Sequence, residues 1–212
     1  MSGAKLTVAD IADLRAYERE RDSFRERIIE LKKRRRVGVG PVVTFVFENR
    51  DTVRFQIQEM ARAERIATDE GIQTELDIYN PLIPGPGELA ATMFIELTSD
   101  DDLRLWLPRL VGVERAVELR LDGPEGGPVD VVSAHVDPAH AEQLTRDDIT
   151  ASVHYLTWRL GPAQVERFAG GPVQLAVRHS RYDEATTLSE ATRRELLADL
   201  HGAPGAVPPA VS

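Results

Sequence analysis

Apolar residues recur with two different periods along this chain, and each period predicts a different kind of element. Between residues 7 and 36, apolar side chains return every three or four positions among charged ones, which is the spacing of one helix face. They are Ile11, Leu14, Tyr17, Phe24, Ile28 and Leu31. Thr7 or Asp10 can cap the start of this helix, and the cations at 32–36 followed by Gly38 are typical of a helix end.

Strand-like runs alternate with helical ones in the rest of the chain. Residues 42–47 form an apolar run that predicts a strand buried on both faces. A second helix is predicted from Asp51, as its cap, to about residue 70, and a short third helix over 72–78. The proline- and glycine-rich segment 79–87 cannot be regular structure. Further strands are predicted at 89–97, 116–121, 129–136, 151–160 and 173–179, and further helices at 101–107, after Gly161-Pro162 and at 189–200.

This order of elements predicts an α+β fold, in which a mainly antiparallel sheet of about five strands packs with a long N-terminal helix and several shorter helices. Two of the strands flank a turn at 122–127 as in a hairpin, and no regular βαβ alternation appears. A single domain is expected over 1–200, because the strand at 42–47 needs a larger sheet around it. The proline-, alanine- and glycine-rich residues 201–212 are predicted to be a disordered tail.

The amino-acid composition excludes several kinds of binding site but says less about the fold. The chain has no cysteine, so it ligates no iron–sulfur cluster, and any bound metal would need Asp, Glu or His ligands. A net charge of -9 argues against a nucleic-acid-binding surface. Residues 1–7 lack the apolar core of a signal peptide, and the run at 42–47 is too short to cross a bilayer. We therefore expect a cytoplasmic protein with no nucleic-acid or membrane partner.

A dense polar cluster lies in the first third of the chain, around the second predicted helix. On a helical wheel Val53, Ile57 and Met60 form one apolar stripe, and Glu64 falls about 20° from Val53, within that stripe. A carboxylate on a core stripe is costly unless it is paired, protonated or bound to a metal. Two interpretations of Glu64 follow: an ion pair with one of the many arginines, or a role in metal binding or proton transfer.

A second candidate is His154, in the strand predicted at 151–160. Strand alternation places it on the same face as Leu156 and Trp158, which is the more apolar face. A buried neutral imidazole is either a core histidine that is hydrogen-bonded at its ring nitrogens, or a metal ligand or proton carrier. We expect both Glu64 and His154 to be buried and paired with polar groups.

The whole candidate site combines residues that could bind a ligand, or hold a divalent metal through oxygen and nitrogen atoms. It consists of Glu48, Asn49, Arg50, Gln56, Glu59, Glu64, Tyr79, Asn80 and His154, with Glu64 and His154 as the candidate metal ligands. The alternative for 48–51 is a polar turn with Asp51 as the helix cap. Residues 32–36 could contact RNA or an acidic partner, and the alternative for them, favoured by the net charge, is a solvated helix end. The sequence has no nucleophile elbow, phosphate loop or His-Glu-x-x-His motif, so it indicates no reaction and no catalytic residue.

Motifs spread along the chain match one pattern. They are residues 28–37, Val39-Gly40-Pro41, 47–53, 56–60, 75–84, 91–96 and Val153-His154-Tyr155-Leu156. Together they resemble an uncharacterised bacterial family, the domain of unknown function 3501, and the resemblance extends over nearly the whole chain to about residue 200. That family brings no established catalytic residues. Its genes occur in settings similar to those of rubrerythrin-like proteins and iron–sulfur oxidoreductase subunits.

The resemblance implies, by association, a role close to redox chemistry or peroxide defence. The expected function is an accessory protein of a bacterial redox or peroxide-stress system that acts through protein–protein contacts. Rubrerythrin-like or iron–sulfur oxidoreductase proteins are the expected partners. The alternative is a metal-binding protein, or an enzyme, that uses the carboxylate and histidine site.

Overall fold

The computed structural model describes residues 4–122, 128–136 and 149–202 of the chain. Its α-helices are α1 (Leu14–Arg35), α2 (Arg50–Glu64), α3 (Asp69–Tyr79), α4 (Asp100–Trp106), α5 (Pro162–Gly170) and α6 (Glu190–Leu200). Its strands are β1 (Arg36–Val39), β2 (Val43–Glu48), β3 (Glu88–Ile95), β4 (Val117–Leu121), β5 (Asp130–Ser133), β6 (Val153–Arg159), β7 (Val173–His179) and β8 (Tyr182–Thr187). Most of the predicted turn at 122–127 and of the predicted tail lies outside the described residues.

The strands form two four-stranded sheets that share one apolar core. The first sheet has the strand order β1-β2-β3-β6, and the second has the order β5-β4-β7-β8. Every neighbouring pair in both sheets is antiparallel. The predicted α+β class with mainly antiparallel pairing is therefore confirmed, with two sheets where one was expected.

Strand alternation builds the core between the two sheets. Phe47 and Trp158 of the first sheet are at most 1% exposed, and their ring centroids lie 5.7 Å apart. Leu119 of the second sheet belongs to the same buried cluster, as do Phe168 of α5 and Leu196 of α6. Burial of such side chains is the main favourable contribution to folding, at roughly 1.5–3 kcal/mol for each large apolar group.

Polar contacts join the edges of the two sheets. On one side, the Tyr182 hydroxyl of β8 donates a hydrogen bond to the Val39 carbonyl of β1 at 2.6 Å. On the other side, His135 and Thr157 form an antiparallel bridge with N–H to carbonyl distances of 2.7 and 2.9 Å. The eight described strands therefore follow a nearly closed circuit, which leaves little free strand edge to pair with other chains.

Helices cover the outer face of the first sheet. The helices α1 and α2 pack against β2, and α3 packs on α2. Phe24 of α1 meets Phe55 of α2 edge to face, with ring centroids 5.6 Å apart. Val53 and Ile57 of α2 form a separate apolar cluster with Leu76 of α3. None of the described helices is long and apolar enough to cross a membrane.

The helix α1 starts later than the sequence predicts. Its cap is Asp13, whose side chain accepts a hydrogen bond from the Ala16 amide at 2.8 Å. The predicted caps Thr7 and Asp10 instead close a short 3₁₀ turn, Val8–Asp10, in which the Thr7 amide donates to the Asp10 carboxylate at 2.8 Å. The capping signal was thus real, but it belongs to a separate turn before the helix.

The basic run at the end of α1 is not simply a solvated helix end. Arg36 is the first residue of β1, and Gly38 lies inside that strand, so Gly38 is not a helix stop. Arg35 is only 1% exposed, and its guanidinium group donates hydrogen bonds to Asp199 and Glu195 of α6. For Arg35 the prediction of a solvated side chain is therefore wrong.

Candidate functional site

A pocket of about 320 Å³ lies between the outer face of the first sheet and the helices that cover it. We call it the sheet pocket. Its floor consists of Val46, Glu48, Thr92, Phe94, Val153 and Tyr155. Its walls consist of Lys32, Arg36, Val53, Gln56, Tyr79 and Leu82. Three of the predicted site residues, Glu48, Gln56 and Tyr79, therefore line one pocket.

Strand register assembles the floor of the sheet pocket. Val46 of β2 lies opposite Thr92 of β3, and Thr92 lies opposite Tyr155 of β6, so the three residues form one row across the sheet. Their neighbours along the strands, such as Phe47 and Leu156, turn to the core between the sheets. The floor is thus the more polar side of strands whose other side is apolar apart from His154.

Glu48 is the acidic group of the sheet pocket and is 9% exposed. Its Oε1 accepts a hydrogen bond from the Thr92 hydroxyl at 2.7 Å, and its Oε2 accepts one from the Thr52 hydroxyl. No Arg, Lys or His of the described residues forms an ion pair with it. Two hydroxyl groups thus hold the carboxylate in place without neutralising its charge.

Two phenols stand beside this carboxylate. Tyr155 rises from the floor on β6, and Tyr79 comes from the last turn of α3. Burial raises the pKa of Tyr155 above its ordinary value, and the nearby Tyr79 and Glu48 add to that shift. Tyr155 is therefore close enough to both Tyr79 and Glu48 to interact with them, and its phenol keeps its proton at neutral pH.

Cations line the opposite part of the sheet pocket. Lys32 lies over the ring of Phe55, with 5.9 Å from its Nζ to the ring centroid, and no carboxylate among the described residues pairs with it. Arg36 forms an ion pair with Glu96, whose other oxygen accepts a hydrogen bond from Thr44 at 2.8 Å. The ammonium group of Lys32 is therefore the unpaired positive charge of this pocket.

Three other predicted site residues have structural partners. The Asn49 side chain accepts hydrogen bonds from the backbone at the start of α2, including the Thr52 amide at 3.0 Å. Arg50 pairs with Asp10 at 2.6 Å. Asn80 is bonded to the backbone of Leu6, with an Oδ1 to N distance of 2.8 Å and an Nδ2 to O distance of 2.9 Å. These side chains hold local segments together.

The cap of α2 is Asn49, so the prediction that Asp51 is the cap is wrong. The extended backbone continues through Asn49, at φ -147° and ψ -175°, and the helix starts at Arg50. Asp51 therefore lies within the first turn, where it suits the helix dipole. Burial raises the pKa of the Asp51 carboxyl group, and the surrounding arginines oppose that shift.

Glu59 is part of a polar contact between α1 and α2. Its carboxylate accepts hydrogen bonds from the Arg21 guanidinium group at 2.8 and 2.9 Å, and from the Tyr17 hydroxyl at 2.7 Å. The hydrogen bond from Arg21 lowers the pKa of Glu59, although partial burial works against it. Glu59 is thus a structural residue that ties two helices together outside the sheet pocket.

We expect Glu59→Gln to lower the free energy of unfolding by about 1–2 kcal/mol at pH 7, because charge-assisted hydrogen bonds from Arg21 are lost. A pKa lowered by folding adds stability above the unfolded pKa, and that stability is lost as the pH falls through the folded pKa. The difference between wild type and variant in urea denaturation should therefore shrink on acidification below about pH 4.5.

The matched control is Glu64→Gln in the same helix. Glu64 is exposed, so this variant should stay within about 0.5 kcal/mol of wild type. A Glu59→Gln effect that persists unchanged to low pH would show that the Arg21 contact does not carry it.

The prediction that Glu64 is buried is wrong. The apolar stripe of α2 is buried as far as Ala61, and Glu64 is the last residue of the helix. Arg65 then adopts a left-handed conformation, at φ 56°, and turns the chain away before α3 begins at Asp69. The helical-wheel prediction placed Glu64 on the buried stripe, but the end of the helix that carries Glu64 is exposed.

His154 is buried and polar-paired, as predicted. Its Nε2 lies 2.9 Å from the Thr150 hydroxyl and 2.9 Å from the Ala151 carbonyl. Burial lowers the pKa of His154, and the charge of Glu114 opposes that shift. Its strand partner Met93 belongs to the core between the sheets, so His154 faces away from the sheet pocket.

The proposed metal pair does not come together. Glu64 is exposed at the end of a helix on the outer side of the first sheet, whereas His154 lies on the inner side. Across the described parts of the chain, no three His, Asp or Glu side chains are grouped so that they could hold a metal ion. The geometry therefore gives this pair no support as a shared metal site.

Sequence reasoning missed Lys32, Thr92 and Tyr155 as pocket residues. Tyr155 was within reach, because the alternation that puts His154 on the apolar face puts Tyr155 on the other face. Lys32 was assigned to the basic end of a helix, and only its position four residues after Ile28 distinguishes it from Lys33. Thr92 becomes relevant only through the β2–β3 register, which no local pattern reveals.

The fold and the sheet pocket define an α+β protein with two antiparallel sheets and a polar pocket on one outer face. The family model for "Protein of unknown function (DUF3501)" matches residues 5–200, so the chain belongs to that family, as its motifs predicted. A solved structure of a novel protein of unknown function from Burkholderia pseudomallei K96243 is similar to it. That protein is 36% identical, with a TM-score of 0.83, and the match covers 93% of this chain and 100% of the other. A comparison with curated proteins gave no match.

Proposed function

We propose that this protein binds a small polar organic molecule in the sheet pocket. The observation that carries the proposal is the convergence of Glu48, Tyr79, Tyr155 and Lys32 on one concavity of about 320 Å³. Ligand pockets commonly have volumes of about 300–1,000 Å³, with an apolar lining and a few polar groups that orient the ligand. The pocket fits that description at its small end.

The lining favours an organic ligand over a metal ion. Among the lining residues, Glu48 is the one carboxylate and no histidine is present. Divalent metals in proteins usually take several oxygen or nitrogen ligands from side chains. Val46, Phe94 and Val153 supply apolar surface that would contact a carbon skeleton. A carbon skeleton with polar ends would therefore satisfy both kinds of surface.

The proposal is tested by filling the pocket. Val153 is a half-buried floor residue, so Val153→Trp should occupy part of the volume with little damage to the core. Ligand-observed NMR with a set of small polar fragments should detect binding to wild type and a loss of at least about tenfold in affinity for the variant.

Val131→Trp is the matched control, because Val131 is 43% exposed on β5 and does not line the sheet pocket. It should bind the same fragments as wild type. Urea denaturation would verify that both variants fold. Binding that is equal in Val153→Trp and wild type, or no fragment binding to wild type at millimolar concentration, would contradict the proposal.

A protein partner is a second candidate function. The line Arg25, Ile29 and Lys33 runs along one side of α1, all three side chains are exposed, and Ile29 is 43% exposed. An exposed apolar group between cations favours an acidic partner with an apolar centre. The redox setting implied by the family resemblance makes rubrerythrin-like or iron–sulfur oxidoreductase proteins the partners to look for.

We expect immobilised wild type to retain one of these proteins from host extract at low salt, and Ile29→Glu to lose it. Ile78→Glu is the control, since Ile78 is equally exposed but lies on α3. Mass spectrometry identifies the retained proteins. Recovery of neither class, or equal recovery with Ile29→Glu, would remove the support for a partner on α1.

A further inference from the structure

The sheet pocket contains one unpaired charge of each sign. Glu48 accepts hydrogen bonds from two threonine hydroxyls but has no cationic partner among the described residues. Lys32 lines the same pocket and, within the described part of the chain, has no carboxylate partner. A charge removed from water is costly unless an opposite charge or several hydrogen bonds compensate it.

The surroundings of Glu48 suit a bound cation. The side chain is 9% exposed, so little water reaches its charge. Tyr155 lies near it and Tyr79 lines the same pocket, and the faces of aromatic rings attract ammonium groups. An ammonium group of a ligand would provide the opposite charge that the two hydroxyls cannot.

The surroundings of Lys32 suit a bound anion. Its Nζ lies 5.9 Å from the Phe55 ring centroid, a weak contact that a flexible lysine can exchange for a carboxylate. Arg36 lines the same side of the pocket, and its partner Glu96 is exposed. The positive side of the pocket therefore has the ammonium group of Lys32 and, four residues later in the chain, the guanidinium group of Arg36.

The two charged ends are separated along the floor. Arg36 pairs in register with Val46, and Glu48 lies two residues further along β2, which corresponds to about 7 Å of strand. Val46 is level with Arg36, and Phe94, which pairs in register with Thr44, adds apolar surface on the side away from Glu48. A ligand that reaches both ends needs its charges several bonds apart on an apolar chain.

We infer that the sheet pocket binds a small zwitterion, a molecule that carries an ammonium group for Glu48 and a carboxylate for Lys32 on a short apolar chain. The inference rests on the proposed function, because it requires that the pocket binds a small molecule at all. It adds the chemical class of the ligand and assigns one end of it to each charged residue.

Three probes with the same six-carbon chain test the inference by isothermal titration calorimetry: 6-aminohexanoate, hexanoate and hexylammonium. The zwitterion should bind at least about tenfold more tightly than either singly charged probe, since each end contributes a charge-assisted contact. Glu48→Gln should reduce 6-aminohexanoate to the affinity of hexanoate and leave hexanoate unchanged. Lys32→Met should reduce it to the affinity of hexylammonium.

The outcomes separate this inference from the proposed function. If the fragments bind and Val153→Trp blocks them, but 6-aminohexanoate binds no better than hexanoate, the zwitterion is wrong and the pocket still binds ligands. Tighter hexylammonium binding in Lys32→Met would show that Lys32 itself provides the positive charge for Glu48. That result would also overturn the inference. If no fragment and no probe binds wild type, both fail together. Urea denaturation of Glu48→Gln and Lys32→Met would verify that each variant is folded.

Discussion

Replacement of Arg35 by methionine is expected to lower the free energy of unfolding by about 3–5 kcal/mol. Arg35 is 1% exposed, and its Nη1 and Nη2 donate to the two Asp199 oxygens at 2.7 and 3.0 Å. Nη2 also donates to Glu195 at 3.0 Å. Methionine fills a similar volume but leaves the buried Asp199 carboxylate without its partner, and an uncompensated buried charge is strongly destabilising.

Chemical denaturation of two further variants would isolate the cause. Arg34→Met removes a neighbouring cation that is 45% exposed and also pairs with Glu195 at 3.0 Å, and it should cost no more than about 1 kcal/mol. The double variant Arg35→Met with Asp199→Leu should recover much of the loss, because an apolar pair of similar volume often replaces a buried ion pair without penalty. A small effect of Arg35→Met, or no recovery in the double variant, would contradict this account.

Local sequence patterns do not predict the ion pair between Arg35 and Asp199. Residues 32–36 are all cations, and helical spacing places Arg35 four positions after Leu31 and seven after Ile28, on the apolar stripe, but it does not identify a partner for the side chain. Asp199 lies 164 positions further along the chain, so the pairing depends on how α6 docks beside α1. Helix-end rules describe the average solvated terminus and carry no information about such a distant partner.

Two of the strands, β1 and β8, could not be predicted from local sequence patterns either. β2 was predictable because a short run of apolar residues, interrupted only by Thr44, has few alternatives to a buried strand. In β8 only Tyr182 is buried, and the residues after it are polar or small, so no alternation marks the strand. β1 is four residues long and follows directly on a basic helix end. Both are edge strands of their sheets, where the packing that enforces alternation is weakest.

The candidate site was predicted in part for a physical reason. Glu48 ends a buried strand, and Gln56 lies on the helix that follows it, so chain connectivity alone brings the two near the sheet. The other members depend on strand register and on the position of α1, which local patterns do not encode. The prediction for Glu64 was wrong for a different reason. Glu64 does lie on the same side of α2 as the apolar stripe, but the helix is exposed at its last residue.

The second large effect is expected for Tyr182→Phe, which removes one oxygen and keeps the ring. The hydroxyl donates to the Val39 carbonyl at 2.6 Å and accepts from the Val42 and Val43 amides at 3.2 Å each. It thereby joins the edge of the second sheet to the β1–β2 turn of the first. Each lost hydrogen bond costs about 1 kcal/mol, so the free energy of unfolding should fall by about 2–3 kcal/mol.

The backbone of this turn is built around the Tyr182 hydroxyl. Gly40 has φ +67°, and a Cβ added there would lie 2.5 Å from the Tyr182 hydroxyl oxygen. Thr186→Val is the matched control, because Thr186 also joins the sheets, through a 2.8 Å hydrogen bond to the Gly38 carbonyl, but at an exposed position. It should cost less than about 1 kcal/mol, since water can replace the lost bond. Equal losses in the two variants, measured by urea denaturation with unchanged m-values, would show that Tyr182 is no more important than an ordinary surface contact.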